Sequence, residues 1–422
     1  MGKIKTIIDV VENQLCTGCG ACAFIEADVF YMADTFEYGK RPFIYSGKVE
    51  NGDAFSICPG ISLSHNFNLE KYDGIDEELL PGWGPVLGVW EGYAADDKIR
   101  FSGSSGGAAS ALSLYALENR NVDGVLHTGA SDDLPYINKT VISSNREELL
   151  KHTGSRYSPS SPCEDLAKLE KISGQSVFIG KPCDVAAISK IKRIRKSLDE
   201  KLDFTIAFFC AGVPSLQGNI DFLKKKGIVD ISCLTKLRYR GNGWPGNWVA
   251  RYQDENAELC EIQTSYVKSW GFLQQYRAWR CYICPDHTGE FADIAVGDPW
   301  YRKVEKGEYG KSLIIARTKK GLDVITKAAK DGYLILESKN SELLPLSQPN
   351  LLAARGSLWG RINVLRLFGA AVPNYNGFKL FVFWVKNLSF KEKAQSIFGT
   401  VKRIFKKKLL ARIKVEKYDI KT

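Results

Sequence analysis

Cys16, Cys19 and Cys22 are each separated by two residues, and Cys58 follows at a distance with Pro59 directly behind it. Three thiolates on one tight loop, closed by a fourth before proline, form the ligand set of a cubane 4Fe-4S cluster. Two-cluster ferredoxins repeat a Cys-x2-Cys-x2-Cys-x3-Cys-Pro run, and each run's last cysteine serves the other run's cluster. Here Glu26 occupies the first run's fourth place, and Lys48, Asn51 and Ala54 stand where the second run would be completed. The ligands of one cluster are present together and those of the other are absent together. The segment therefore reads as a ferredoxin-like module holding one 4Fe-4S cluster, whose chemistry is electron transfer. Structural zinc favours paired Cys-x2-Cys knuckles or added histidine, and a disulfide does not readily join cysteines three apart in a tight loop.

A second set of thiols lies downstream, at Cys183 (after Gly180-Lys181-Pro182), Cys210, Cys281 and Cys284. Each stands beside proline or at the end of an apolar run, where a side chain is presented outward. They can hold a second cluster if the fold brings them together, or they are a free pair and two small buried hydrophobes. Cys163, Cys233 and Cys260 lack such context and read as core thiols. His65, His127, His152 and His287 are isolated along the chain and form no nucleophile or metal constellation.

These residues need elements to position them. Val86–Tyr93, Val122–His127, Val177–Ile179 and Thr205–Phe209 read as strands. Ala108–Glu118, Asp165–Leu169 and Val185–Lys192 read as helices between them, an alternation that predicts a mixed sheet with helices on its faces. The fold class is thus α/β, or more loosely α+β. The Gly-rich turn Phe101–Gly107 runs into the first helix, where free N–H groups and the dipole favour a phosphate. Three further segments look placed for binding: Gly154–Tyr157, Arg238–Trp244 and Ala292–Trp300. Leu80–Pro85 reads as a Gly/Pro linker.

The net charge of +10 is not spread evenly, because residues 379–417 carry twelve Lys or Arg against Glu392 and Glu416. The rest is formally neutral. From Phe390 onward apolar residues recur with helical spacing among those cations. Two readings stay open for this tail: a basic amphipathic helix on an anionic membrane surface over residues 390–415, or a helix docked on the body. No reading motif accompanies the charge, so nucleic acid is not an expected partner. Met1–Thr6 lacks the apolar run of a signal peptide. Cluster-spaced cysteines then imply a reducing compartment, the cytoplasm, and on the first of the two tail readings a peripheral attachment to the inner membrane.

Taken together, the segments resemble the coenzyme F(420) hydrogenase/dehydrogenase beta-subunit family of iron–sulfur flavoproteins. The likeness rests on Ser105-Gly106-Gly107, Val122-Asp123-Gly124-Val125, Gly154-Ser155-Arg156-Tyr157, Gly180-Lys181-Pro182-Cys183, and Cys281-x-x-Cys284 leading into Ala292–Asp298, in family order. The resemblance implies bound FAD near Ser104, Ser105, Gly106, Gly107, Gly154, Ser155, Arg156 and Tyr157. It also favours a second 4Fe-4S cluster on Cys183, Cys210, Cys281 and Cys284. Three parts are expected: a ferredoxin-like 4Fe-4S module (1–80), a flavin-binding body (81–345) and a C-terminal extension (346–422). The implied activity is electron passage from ferredoxin or a similar donor, through the clusters and FAD, to a small organic substrate. A sugar or polysaccharide precursor and a deazaflavin are the two substrate classes considered. The alternative is a non-catalytic electron-transfer subunit serving a partner enzyme.

Overall fold

The computed structural model describes residues 4–46, 52–65, 74–305 and 307–419. Lys48 and Asn51 lie outside the described residues. Two hairpin strands, β1 (Phe30–Thr35) and β2 (Gly39–Ile44), and a short β3 (Ser62–Ser64) belong to the N-terminal segment. Then follow β4 (Gly88–Ala94), β5 (Val122–Ala130), β6 (Asn138–Ser143), β7 (Gln175–Gly180) and β8 (Leu202–Phe208). The remaining strands are β9 (Leu234–Arg238), β10 (Asn247–Gln253), β11 (Leu259–Ser265), β12 (Ile294–Gly297), β13 (Ser312–Ala316), β14 (Leu334–Lys339) and β15 (Asn374–Asn376).

Eight strands form one mixed sheet in the order β14-β4-β13-β12-β8-β7-β5-β6. Pairing is parallel through β12, β8, β7 and β5 and antiparallel at both margins. The predicted α/β class and mixed sheet are what the chain adopts. The central strands are apolar almost throughout because both faces are covered. Val177 and Phe204 pack with the helices Ala108–Asn119 and Lys319–Lys330, whereas Phe178 and Leu126 pack with the helix Pro182–Ile191. The antiparallel sheet β11-β10-β9 carries its own core, built with Leu216, Phe222 and Leu273.

Strand and helix centres agree with the sequence reading, and the ends differ by a few residues. The segment around Asp165 is split, with a 3₁₀ turn at Pro162–Asp165 and a helical turn at Ala167–Glu170. The Gly/Pro linker is a correction. Leu80–Trp83 is a helical turn, Trp83 is buried, and its carbonyl and that of Pro85 accept from the buried Arg317. Composition marked a break there, but the tryptophan and the arginine pack it down.

The C-terminal extension is woven into the rest. β15 pairs in parallel with β3, and the helix Phe390–Lys406 packs on Leu358–Leu367. Ile404 and Leu409 share one apolar core with Val10, Leu15, Cys16 and Cys58. Among the described residues no helix is long and apolar enough to cross a membrane.

Candidate redox site

The N-terminal thiols are held by a loop that needs left-handed backbone. Gly18 (φ +73°) and Gly20 (φ +88°) make the two reversals. A Cβ at Gly20 would meet the Glu164 nitrogen at 2.7 Å, so the body packs directly on this loop. Cys22 is in the first turn of the helix Ala21–Ile25, and Cys58 follows the helix Asp53–Ile57. The four thiols converge. Burial pushes Cys22 far up, and the charges that add to it are those of Cys19, Cys16 and Cys58. Burial pushes Cys58 up to about 12, with Cys19 and Cys16 adding to it. Buried thiolates crowded in this way repel one another unless a cation lies between them. Two positions that would serve a second ferredoxin cluster have another role: Glu26 Oε1 accepts from the Ala54 N–H at 2.8 Å.

The downstream thiols follow from sheet topology. β4 runs parallel to β12, because each is antiparallel to β13. The carboxyl ends of β4, β12, β8, β7 and β5 therefore share one edge, where open α/β sheets place their ligands. Cys183 follows β7 and Cys210 follows β8 on that edge. The loop carrying Cys281 and Cys284 crosses over Cys210, whose N–H donates to the His287 carbonyl at 2.9 Å. Cys183, Cys210, Cys281 and Cys284 line one cavity, and Cys16 lines it too. Burial, with Cys281 and Cys284 nearby, raises Cys210 to about 12, and burial raises Cys284 to about 12.

Cations flank these thiols. Arg280 is buried on the cavity wall, and its guanidinium donates to the Pro59 carbonyl (3.1 Å) and the Ile283 carbonyl (3.3 Å). It acts electrostatically on Cys16 on one side and on Cys284, Cys183 and Cys281 on the other. Its Nε has no hydrogen-bond partner among the described residues. Burial works against the Lys181 cation, yet Asp184 at 2.7 Å and the thiols of Cys183 and Cys210 raise it. Among the described residues no three His, Cys, Asp or Glu side chains are drawn tightly enough to hold a single ion. A cubane asks for another arrangement, with each thiolate on a separate iron at its own corner of the cage. Crowded thiols, most of them partly buried, beside a guanidinium whose Nε has no partner among the described residues fit such an anionic cage.

The expected flavin residues meet at the same edge, beyond β4. The Ser155 N–H donates to Ser104 Oγ at 2.5 Å, joining the two loops. Several of these groups are already engaged. Ser312 Oγ takes the Gly106 N–H at 2.9 Å, and Ser105 Oγ donates to the Lys311 carbonyl at 2.6 Å. A Cβ at Gly106 would strike Ser312 N at 2.6 Å, and Gly107 has φ +74°. Gly154 has φ +102°. Arg156 donates to Asn138 Oδ1, the Leu237 carbonyl and the Pro135 carbonyl, so it ties loops together. Tyr157 packs among Tyr239, Tyr266 and Trp270.

A cavity of about 620 Å³ is lined by Phe101, Arg238, Trp244 and Tyr266 but by none of the expected flavin residues. Arg238 links it to the two loops by donating to the Ser102 and Thr153 carbonyls. Arg240 pairs with Asp298 (2.7 Å) and donates to the Ser104 carbonyl, and Trp244 Nε1 donates to Asp298 at 2.8 Å. The rings of Trp244, Trp300 and Tyr266 stack in succession. The binding segments around Arg238 and Asp298 thus meet, although sequence alone offered no ground for naming their individual residues.

Residues 89–168 match the family profile for the N-terminal part of the coenzyme F420 hydrogenase/dehydrogenase beta subunit. Residues 174–342 match the companion profile for the C terminus of the same beta subunit. The chain belongs to this family. Among its relatives is the coenzyme F420 hydrogenase subunit beta of Methanosarcina barkeri, 26% identical over 59% of this chain and 82% of that one. The coenzyme F420-dependent sulfite reductase of Methanocaldococcus jannaschii is 23% identical over 75% of this chain. The match spans 46% of that reductase. A chain from the F420-reducing [NiFe] hydrogenase complex of M. barkeri shares the fold, with TM-score 0.54, 21% identity, and coverage of 71% and 98% of the two chains. This beta-subunit family member is thus an oxidoreductase-type electron-transfer protein.

Other sequence expectations were altered by the fold. Cys163 is fully buried but stands against Cys19, and its thiol contact lowers Cys19 to about 7. Cys233 and Cys260 are only partly buried, not core thiols. The histidines are not isolated in space: His127 and His152 meet edge to face at 5.8 Å, and His65 pairs with Glu290 at 2.8 Å.

Proposed function

We propose that the chain is an iron–sulfur flavoprotein oxidoreductase. Cys16, Cys19, Cys22 and Cys58 hold one 4Fe-4S cluster, and Cys183, Cys210, Cys281 and Cys284 hold a second. FAD lies against the Ser104–Gly107 and Gly154–Tyr157 loops and reaches past Arg238 into the neighbouring 620 Å³ cavity. The observation that carries this reading is the shared sheet edge. The loops after β4, β12, β8 and β7 stand side by side there, and Cys16 shares a cavity with the second thiol set. From β4 to β8 is three strand spacings, about 14 Å.

When bound, the clusters supply single electrons and the flavin converts them to hydride chemistry. The chain's own residues supply the rest. Arg280 and Lys181 offset the negative charge of crowded thiolates in a water-poor cavity. The stacked Trp244, Trp300 and Tyr266 offer a planar apolar wall, while Asp298 neutralises Arg240 beneath it. Ferredoxin or a similar carrier is the donor, and the acceptor is a small organic molecule, a sugar precursor or a deazaflavin. Anaerobic purification with flavin, iron and sulfide determination tests this. One flavin and about eight irons per chain are expected from two cubanes. Iron without flavin would reject the flavoprotein. A second reading is favoured by relatives that are subunits: electrons are handed to a partner enzyme. Turnover of a small substrate by the isolated chain would exclude it.

A further inference from the structure

The C-terminal helix leaves its aromatic stripe uncovered. Phe390–Lys406 rests on the body along a narrow flank of Ser396, Thr400 and Ile404, all buried. Phe398 and Phe405, seven residues apart and so on one face, are 72% and 63% exposed. Phe405 packs edge-on against the exposed Phe368, at 6.1 Å. Exposed Lys391, Lys402, Lys406 and Lys408 lie along the same helix and its end. From residue 379 to 415 the only acid is Glu392, and its carboxylate caps the helix by accepting from Ser389.

We propose that this face binds the surface of an anionic lipid bilayer, with Phe390–Lys406 lying in the plane of the headgroups. Exposed aromatics rimmed by cations match such a surface on both counts, apolar acyl boundary and negative headgroup. A second copy is a poor occupant, because it would set one cationic face against another. Nucleic acid would leave the phenylalanines without an apolar phase. The helix is already fixed on the body, so it needs no folding on contact.

Sedimentation of the full chain with vesicles tests this. The chain is expected to pellet with phosphatidylcholine vesicles containing phosphatidylglycerol, to stay in solution with phosphatidylcholine alone, and to be released by high salt. The Phe398→Ser/Phe405→Ser double variant should bind at least about tenfold more weakly, since each ring loses its apolar burial. Its circular dichroism and unfolding midpoint should be unchanged, because both rings are exposed in the folded chain. Failure to pellet with phosphatidylglycerol, or equal pelleting without it, would overturn the proposal. So would a dimer in light scattering that the double variant splits.

Discussion

At the scale of single residues, the site is a matter of charge kept out of water. The Cys163 thiol beside Cys19 brings it down to about 7. Cys19→Ser is expected to remove about four irons per chain while flavin stays bound; unchanged iron would mean the ligand assignment is wrong. Arg280 makes a sharper prediction. A buried cation stabilises the more negative, reduced form of a nearby cluster, so Arg280→Gln should shift cluster reduction potentials to more negative values at unchanged iron content. Redox titration followed by electron paramagnetic resonance reads this, and Arg280→Lys should restore part of the shift. If Arg280 only braces the Pro59 and Ile283 carbonyls, potentials stay put and stability alone falls. The cysteines were legible from spacing. Arg280 was not, because its role depends on a cavity between segments more than two hundred residues apart.

At the scale of elements, the strands determine what reaches the working edge. Cys183 and Cys210 end adjacent parallel strands, which no local pattern could reveal, since register and strand order are long-range properties. Alternation along β5 sends Leu126 and Val125 to opposite cores and His127 against Ser143 of β6, at 2.8 Å. Burial, with His152 nearby, holds His127 down at about 4, against an ordinary 6.5. The unfolded chain then binds the extra proton between those values. The associated stability is present above about pH 6.5 and is lost as pH falls towards 4, by up to about 3 kcal/mol. His127→Gln keeps a polar partner for Ser143 without the titration. Denaturant midpoints for this variant should fall less between pH 6.5 and 4 than those of the parent; an identical fall would assign the pH dependence elsewhere.

At the scale of the whole molecule, the three expected parts share their cores. Cys19, Phe24 and Ile57 pack with Val185, Ile188 and Leu198 of the body. Residues 1–80 expressed alone are therefore expected to lack a cooperative unfolding transition and to lose iron on gel filtration; a stable, iron-loaded fragment would show an autonomous module. Arg355 in the C-terminal extension is a second tie. It pairs with Glu290 at 2.6 Å and donates to the Phe378 carbonyl at 3.1 Å, and Glu290 also meets His65. All three are buried. Arg355→Ala removes the guanidinium from a buried carboxylate and leaves it, among the described residues, only His65 as a close partner, which costs about 3 kcal/mol. The urea midpoint should drop accordingly. If the second cluster is held as proposed, its iron at Cys284 should weaken too, because Arg355 also donates to the Pro285 carbonyl.

The amino-acid order alone determined the chemistry class and its coarse architecture. Cys-x2-Cys-x2-Cys and Cys58-Pro59 are local constraints, readable without a fold, and the strand–helix alternation follows from apolar periodicity. The tertiary structure decided where that chemistry is brought together. Only packing turned the Leu80–Pro85 stretch from a linker into a buried turn. Only sheet order set Cys183, Cys210 and Asp298 along one edge, and only packing of the smaller sheet brought Arg240 to Asp298. Only docking through Ser396, Thr400 and Ile404 showed which face of the tail remains open. The common reason is that burial, close approach and charge compensation are properties of residues distant in sequence, and no window of the chain contains them.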